Sequence, residues 1–65
     1  MRGTVKKLNA DKGFGFIRGE DGKDYFFHRS ALRNVRIDDM YEGQGATFEG
    51  DMGDKGLRAE EVLAE

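Results

Sequence analysis

Phe14, Phe16, Phe26 and the single histidine, His28, form two pairs, each split by one residue. In an extended chain alternate side chains share a face, so each pair presents two flat rings on one side of a strand. Flat rings exposed to solvent can stack on nucleobases, for about 1–3 kcal/mol per base and with little regard to base identity. Cations must accompany them, because the phosphates of a bound strand need neutralising. Lys6, Lys7, Lys12, Arg18 and Arg29 lie in or beside the same segments. The duller readings are a dimer contact, or rings partly covered by loops.

Other chemistry is poorly served. Gly13-Phe14-Gly15 starts like a dinucleotide loop, but the third glycine would have to stand at Arg18, and a helix would have to follow. No Gly-Lys-Ser/Thr triplet closes a phosphate loop. His28 and Ser30 are neighbours without an orienting third group, and Ser30 is better used as a cap on the turn that follows. With no cysteine and one histidine there are no disulfides and no zinc site, and Asp38, Asp39 and Glu42 lack the spacing of a calcium loop. The expectation is a protein without catalytic residues, metal or cofactor. Glu60-Glu61 reads as solvated surface.

The elements that would hold the rings are short. A strand over Arg2–Asn9 carries apolar Val5 and Leu8 at opposite parity, which calls for a bend or bulge. A turn at residues 9–13 leads to a strand over Phe14–Gly19. Asp21-Gly22 then marks a tight hairpin into Asp24–His28. Residues 30–43 are irregular, with room for one helical turn at Ser30–Arg33, and Gly45–Met52 is a fourth strand. After a turn at 53–56 the tail, Leu57–Ala64, stays open between helix, favoured by its Leu, Ala, Arg and Glu, and strand, favoured by its length. Four or five short strands in one 65-residue domain indicate a small all-β barrel. A chain this short buries only about 60% of its unfolded surface, so the core must be compact.

Pairing the two central strands fixes which face is inside. Either Ile17, Tyr25 and Phe27 are buried with Val5, Leu8 and Phe48, or Arg18, Asp24 and His28 are. Burying charges costs several kcal/mol each unless they are well paired. The first solution is therefore expected, and it leaves Phe14, Phe16, Phe26 and His28 outside. Charge is divided along the chain: residues 1–36 hold nine Lys/Arg against four acids, and residues 37–65 hold two against nine. A net charge of −2 thus conceals one basic region. No apolar run approaches the ~20 residues of a membrane span, and MRGTVKKLNADKG lacks the apolar stretch of a signal peptide. A cytoplasmic monomer is expected.

NADKGFGFI, followed by FFHRSAL, resembles the two ribonucleoprotein motifs of the cold-shock domain, and Glu42-Gly43-Gln44 resembles that family's EGQ. RNA-recognition motifs share a KGFGF-like signature but need two helices and the opposite motif order. The resemblance runs from Gly3 to Val62 and implies a five-stranded antiparallel OB-type barrel. It also implies binding of single-stranded RNA or DNA, with an RNA-chaperone role in transcription or translation under cold or other stress. Carried over by position, Phe14, Phe16, Phe26 and His28 are stacking residues, and Lys6, Asn9 and Lys12 meet backbone or base edges. Three positions depart from the family. Lys7-Leu8 stands where Trp-Phe is usual, Arg29 where Phe is usual, and the region of Ile37 lacks a loop Phe. Lys7 and Arg29 would offset lost rings through phosphate contacts. Binding should then be weaker, more sensitive to salt and less base-selective than is usual in the family. The rival reading is a protein-interaction module that kept the barrel and lost its ligand.

Overall fold

The computed structural model describes residues 1–65, which form five strands: β1 (Arg2–Asn9), β2 (Phe14–Gly19), β3 (Asp24–His28), β4 (Gly45–Gly53) and β5 (Gly56–Ala64). They close a barrel in the order β1-β2-β3-β5-β4. All pairings are antiparallel except the seam, where β3 meets β5 in parallel at Phe26 and Arg58. The tail is thus a strand. Its helix-forming residues yield to pairing, because β5 supplies both the partner for β4 and the closure beside β3. Two 3₁₀ turns, Arg29–Ala31 and Ile37–Asp39, punctuate the segment between β3 and β4.

Inside lie Val5, Ile17, Tyr25, Phe27, Phe48 and Val62, joined by Ala31, Ile37, Met40, Ala46 and Ala59. Leu8, expected in this core, only packs against its margin and is partly buried. Each large apolar side chain removed from water contributes about 1.5–3 kcal/mol before entropy is set against it.

The register of β1 changes partway along. Val5 pairs with Ile17, but Lys7 pairs with Phe16, so Lys6 is an extra residue. This is the bulge that the parity of Val5 and Leu8 required. Beyond it Leu8 faces Gly15 on the core side, while Lys7 and Asn9 turn outward beside Phe16 and Phe14. Gly15 has its own reason to lack a side chain. A Cβ there would stand 2.5 Å from the Lys7 carbonyl oxygen and 2.7 Å from Cζ of Phe27. The glycine therefore serves the buried ring of Phe27 rather than the outer rings.

β5 carries a second irregularity. Thr47 pairs with Leu63 and Glu49 with Glu60, so Phe48 faces two residues of β5. One of them, Glu61, has φ of 50°, a left-handed conformation normally left to glycine.

Candidate nucleic-acid interface

On the outer face of β1–β2–β3 the pairings line up in rows. Asn9, Phe14 and His28 form one, and Lys7, Phe16 and Phe26 the next, which continues through the seam to Arg58 on β5. Thr4, Arg18 and Asp24 form a third. The hairpin thus brings the four ring residues onto one surface, as the exclusion of Arg18 and Asp24 from the core requires.

The three phenyl rings are partly buried and pack on one another. Phe14 and Phe26 lie 5.8 Å apart between centroids at an interplanar angle of 30°. Phe16 meets Phe26 edge-on at 5.8 Å and Phe14 at 6.5 Å. Such pairs contribute about 0.5–1.5 kcal/mol beyond their burial. The surface is therefore a supported cluster rather than three freely standing rings. Rings held in this way are already oriented, so a flat ligand that stacked on them would face a smaller ordering cost.

His28 extends the cluster and is itself fixed. Its Nδ1 accepts the backbone N–H of Ser30 at 3.2 Å and lies 3.0 Å from Ser30 Oγ. Because a backbone amide can only donate, the neutral imidazole carries its proton on Nε2. His28 is the cap of the Arg29–Ala31 turn. The expectation that Ser30 caps it is thus reversed, because the extended backbone of His28 (φ −102°, ψ 154°) brings Nδ1 over the turn's first amides.

Arg29 is placed by the neighbouring loop. Its N–H donates to the Gly13 carbonyl at 2.8 Å, and a Cβ at Gly13 would stand 2.9 Å from Arg29 Cδ. Gly13 has φ of 73°, so it is glycine for both backbone and space. Asn9 ties the same loop: its Oδ1 accepts the Lys12 N–H at 3.1 Å, and its carbonyl accepts the Gly13 N–H at 2.9 Å. The Nδ2 hydrogens of Asn9 have no partner within the protein.

Charge pairing divides the cations into two groups. Arg2, Arg18, Arg33, Arg36 and Arg58 each have a carboxylate partner, namely Glu65, Asp24, Glu61, Asp38 and Glu60. Arg29, Lys6, Lys7 and Lys12 have none, and neither do Lys23 and Lys55 in the β2–β3 and β4–β5 turns. Arg18 lies on the ring face, but both its Nε (2.8 Å) and Nη2 (3.3 Å) bind Asp24, whose carboxyl is held below its ordinary pKa chiefly by that hydrogen bond. Glu60 and Glu61 lie on the solvated surface, as expected, and each also meets an arginine there. Glu61 takes Arg33 through both oxygens, at 3.0 and 3.1 Å.

A depression that the sequence did not disclose adjoins the rings. It encloses about 390 Å³ and is lined by Phe16, Phe26 and Leu57 with Asp54, Lys55 and Arg58 at its rim. The turn between β4 and β5 supplies one wall. Its placement depends on the parallel seam, to which the only sequence clue is the hairpin-like Gly53-Asp54-Lys55-Gly56. No three His, Cys, Asp or Glu residues converge on a point that could hold a metal ion.

The sequence profile described as "'Cold-shock' DNA-binding domain" matches residues 1–64. Cold shock protein 2 of Lactiplantibacillus plantarum is 52% identical over 60 residues, covering 92% of this chain and 91% of that protein. The cold shock-like protein CspB of Escherichia coli (strain K12) is 50% identical over 64 residues, 97% of this chain and 90% of its own length. Cold shock protein CspC of Bacillus subtilis (strain 168) is 44% identical over 61 residues, 94% and 92% of the two chains. With a profile match over nearly its whole length, and the ring-bearing hairpin set in a closed five-stranded barrel, the chain belongs to the cold-shock domain family of nucleic-acid-binding proteins.

Proposed function

We propose that the outer face of β1–β2–β3 grips single-stranded RNA or DNA as one 65-residue domain. Bases stack on Phe14, Phe16, Phe26 and His28. Lys6, Lys7, Lys12 and Arg29 meet phosphates, and the free amide of Asn9 meets a base edge. One observation carries the reading: a cluster of three mutually braced rings reaches solvent on a face bordered by Lys6, Lys7, Lys12 and Arg29, none of which has a carboxylate partner. Duplex bases are stacked on each other and cannot offer their faces, so only an unpaired strand fits.

The protein then acts by mass action. It binds the open form of a hairpin and not the closed one, and destabilises the hairpin by RT ln(1 + [L]/Kd). That is the work of an RNA chaperone in the cytoplasm. It needs no catalytic group, cofactor or second subunit, and the monomer is the working form.

Titration with short oligo-dT or oligo-U, followed by backbone amide shifts, tests the reading. Shifts concentrated in residues 6–29 at low salt are expected, and Phe16→Ala should weaken binding about 5- to 150-fold, the equivalent of 1–3 kcal/mol. The absence of shifts at low salt would favour a barrel that serves as a protein-interaction module instead.

A further inference from the structure

Beyond Arg29, away from the phenyl rings, the connection between β3 and β4 folds over a second crevice of about 300 Å³. Arg29, Leu32, Val35, Arg36, Ile37 and Asp38 line it. Ile37 is buried, while Leu32 and Val35 are partly buried against the core, so the floor is apolar and anchored. The rim is charged. Arg36 Nη2 and Asp38 Oδ2 are 3.9 Å apart with both side chains largely exposed, a separation too long for a hydrogen bond. Asp38 accepts no side-chain hydrogen bond within the protein, and Arg29 has no carboxylate partner. A carboxylate and a guanidinium therefore border one floor of aliphatic side chains with their side-chain hydrogen-bonding capacity unspent.

We propose that this crevice is a guanine subsite for one nucleotide of the bound strand, an inference that rests on the single-strand reading above. The apolar floor suits a flat ring rather than a phosphate, and the carboxylate at the rim opposes a second anion. Base identity follows from the edges. Guanine presents N1–H and N2–H side by side, two donors that match the two oxygens of Asp38. It also presents O6 and N7 side by side, two acceptors that match the guanidinium fork of Arg29, which gives up its phosphate contact wherever a guanine occupies the crevice. Adenine offers a single amino donor between acceptors. Cytosine offers one amino group. Uracil and thymine offer one N–H flanked by two carbonyls that repel a carboxylate. Only guanine satisfies both partners twice.

Arg29 borders both the ring platform and the crevice, so the strand can pass from one to the other without a gap. Stacking and phosphate contacts carry no base identity. The crevice adds it at one nucleotide, in contrast to the uniformly indifferent grip expected from the loss of rings.

The test places a single guanine at each position of a short oligo-dT in turn and measures affinity by calorimetry and amide shifts. One register should bind about fivefold or more tightly than its adenine and thymine counterparts, with new shifts in residues 32–38. Inosine, which lacks the N2 amine, and 7-deazaguanine, which lacks N7, should each lose most of that gain. Asp38→Asn should abolish the preference while oligo-dT still binds at least as tightly, since one negative charge beside the strand is gone, with Asp38→Ala as a second variant. Equal affinity for guanine and adenine in every register overturns the proposal, as does a preference that survives both inosine and Asp38→Asn; in either case the stacking reading still stands. Failure to bind any oligonucleotide overturns both.

Discussion

Lys7 of β1 stands directly opposite Phe16 of β2, and only the extra residue at Lys6 puts it there. Without the bulge Lys6 would face Phe16, Lys7 would face Gly15 and point into the core, and Leu8 would point at solvent. A one-residue slip in a strand exchanges its two faces. The bulge therefore accomplishes two things: it keeps Leu8 at the core margin and gives the ring platform a cation on its β1 side.

On the proposed reading that cation acts through phosphate rather than through stacking. Lys7→Trp should replace one phosphate contact with a ring flush against Phe16. Affinity at moderate salt should rise about 5- to 150-fold, and the slope of log K against log salt should become shallower by about 0.7, one contact's share on a single strand. Lys7→Ala should give the same change in slope without the gain. Salt titrations of the three proteins decide it: an unchanged slope in both variants would mean that Lys7 touches no phosphate.

Gly15→Ala should damage the barrel rather than the ligand surface. The new methyl group would meet the Lys7 carbonyl oxygen at 2.5 Å and the Phe27 ring at 2.7 and 2.9 Å. Backbone on one side and a buried ring on the other leave no easy escape. Overpacking of this kind costs about 1–3 kcal/mol, and in a domain of this size each kcal/mol lowers Tm by about 4–8 °C. Thermal unfolding by circular dichroism measures it, and an unaltered Tm would show that β1 and β2 can part here at no cost.

Glu61 combines a strained backbone with an engaged side chain, and two substitutions separate them. Glu61→Ala loses the Arg33 contact and keeps the left-handed φ. Glu61→Gly loses the contact but relieves the strain, worth about 1 kcal/mol. The glycine variant should therefore melt several degrees above the alanine variant. The opposite order would mean that the left-handed conformation is not kept in solution.

Much of this was legible in the sequence because the deciding forces are local or binary. The parity of Val5 and Leu8 demanded a bulge, and the cost of burying Arg18, Asp24 and His28 decided the faces of β2 and β3. What could not be read depends on distant partners. The tail from Leu57 to Ala64 has helical composition, and the pairing with β4 overrides it. Arg33 and Glu61 are 28 residues apart, and Arg2 and Glu65 are 63 apart. No short-range pattern announces such pairs, so Glu61 read as solvated surface without its partner. The three phenyl rings were placed on the correct face, but their mutual bracing arises from side-chain angles that strand alternation leaves open. His28 and Ser30 exchanged capping roles for a similar reason: both can reach the turn, and backbone geometry chooses between them.

Acid should unfold the protein through three carboxylates. Asp24 is held low by its hydrogen bond from Arg18, Glu61 by that from Arg33, and Asp21 by the Tyr25 hydroxyl, which donates to it at 2.6 Å. All three are depressed in the folded state, so the unfolded chain binds protons first as pH falls. Their stabilisation is complete above the unfolded carboxylate values near 4, and it is lost as pH drops through the lower folded values. Tm should be level from pH 7 to about 5 and decline below about 4. Asp24→Asn should melt lower at neutral pH and show a shallower acid decline, since the charge-assisted bond to Arg18 is already gone. A decline centred well above pH 5 would assign the acid sensitivity to some other group.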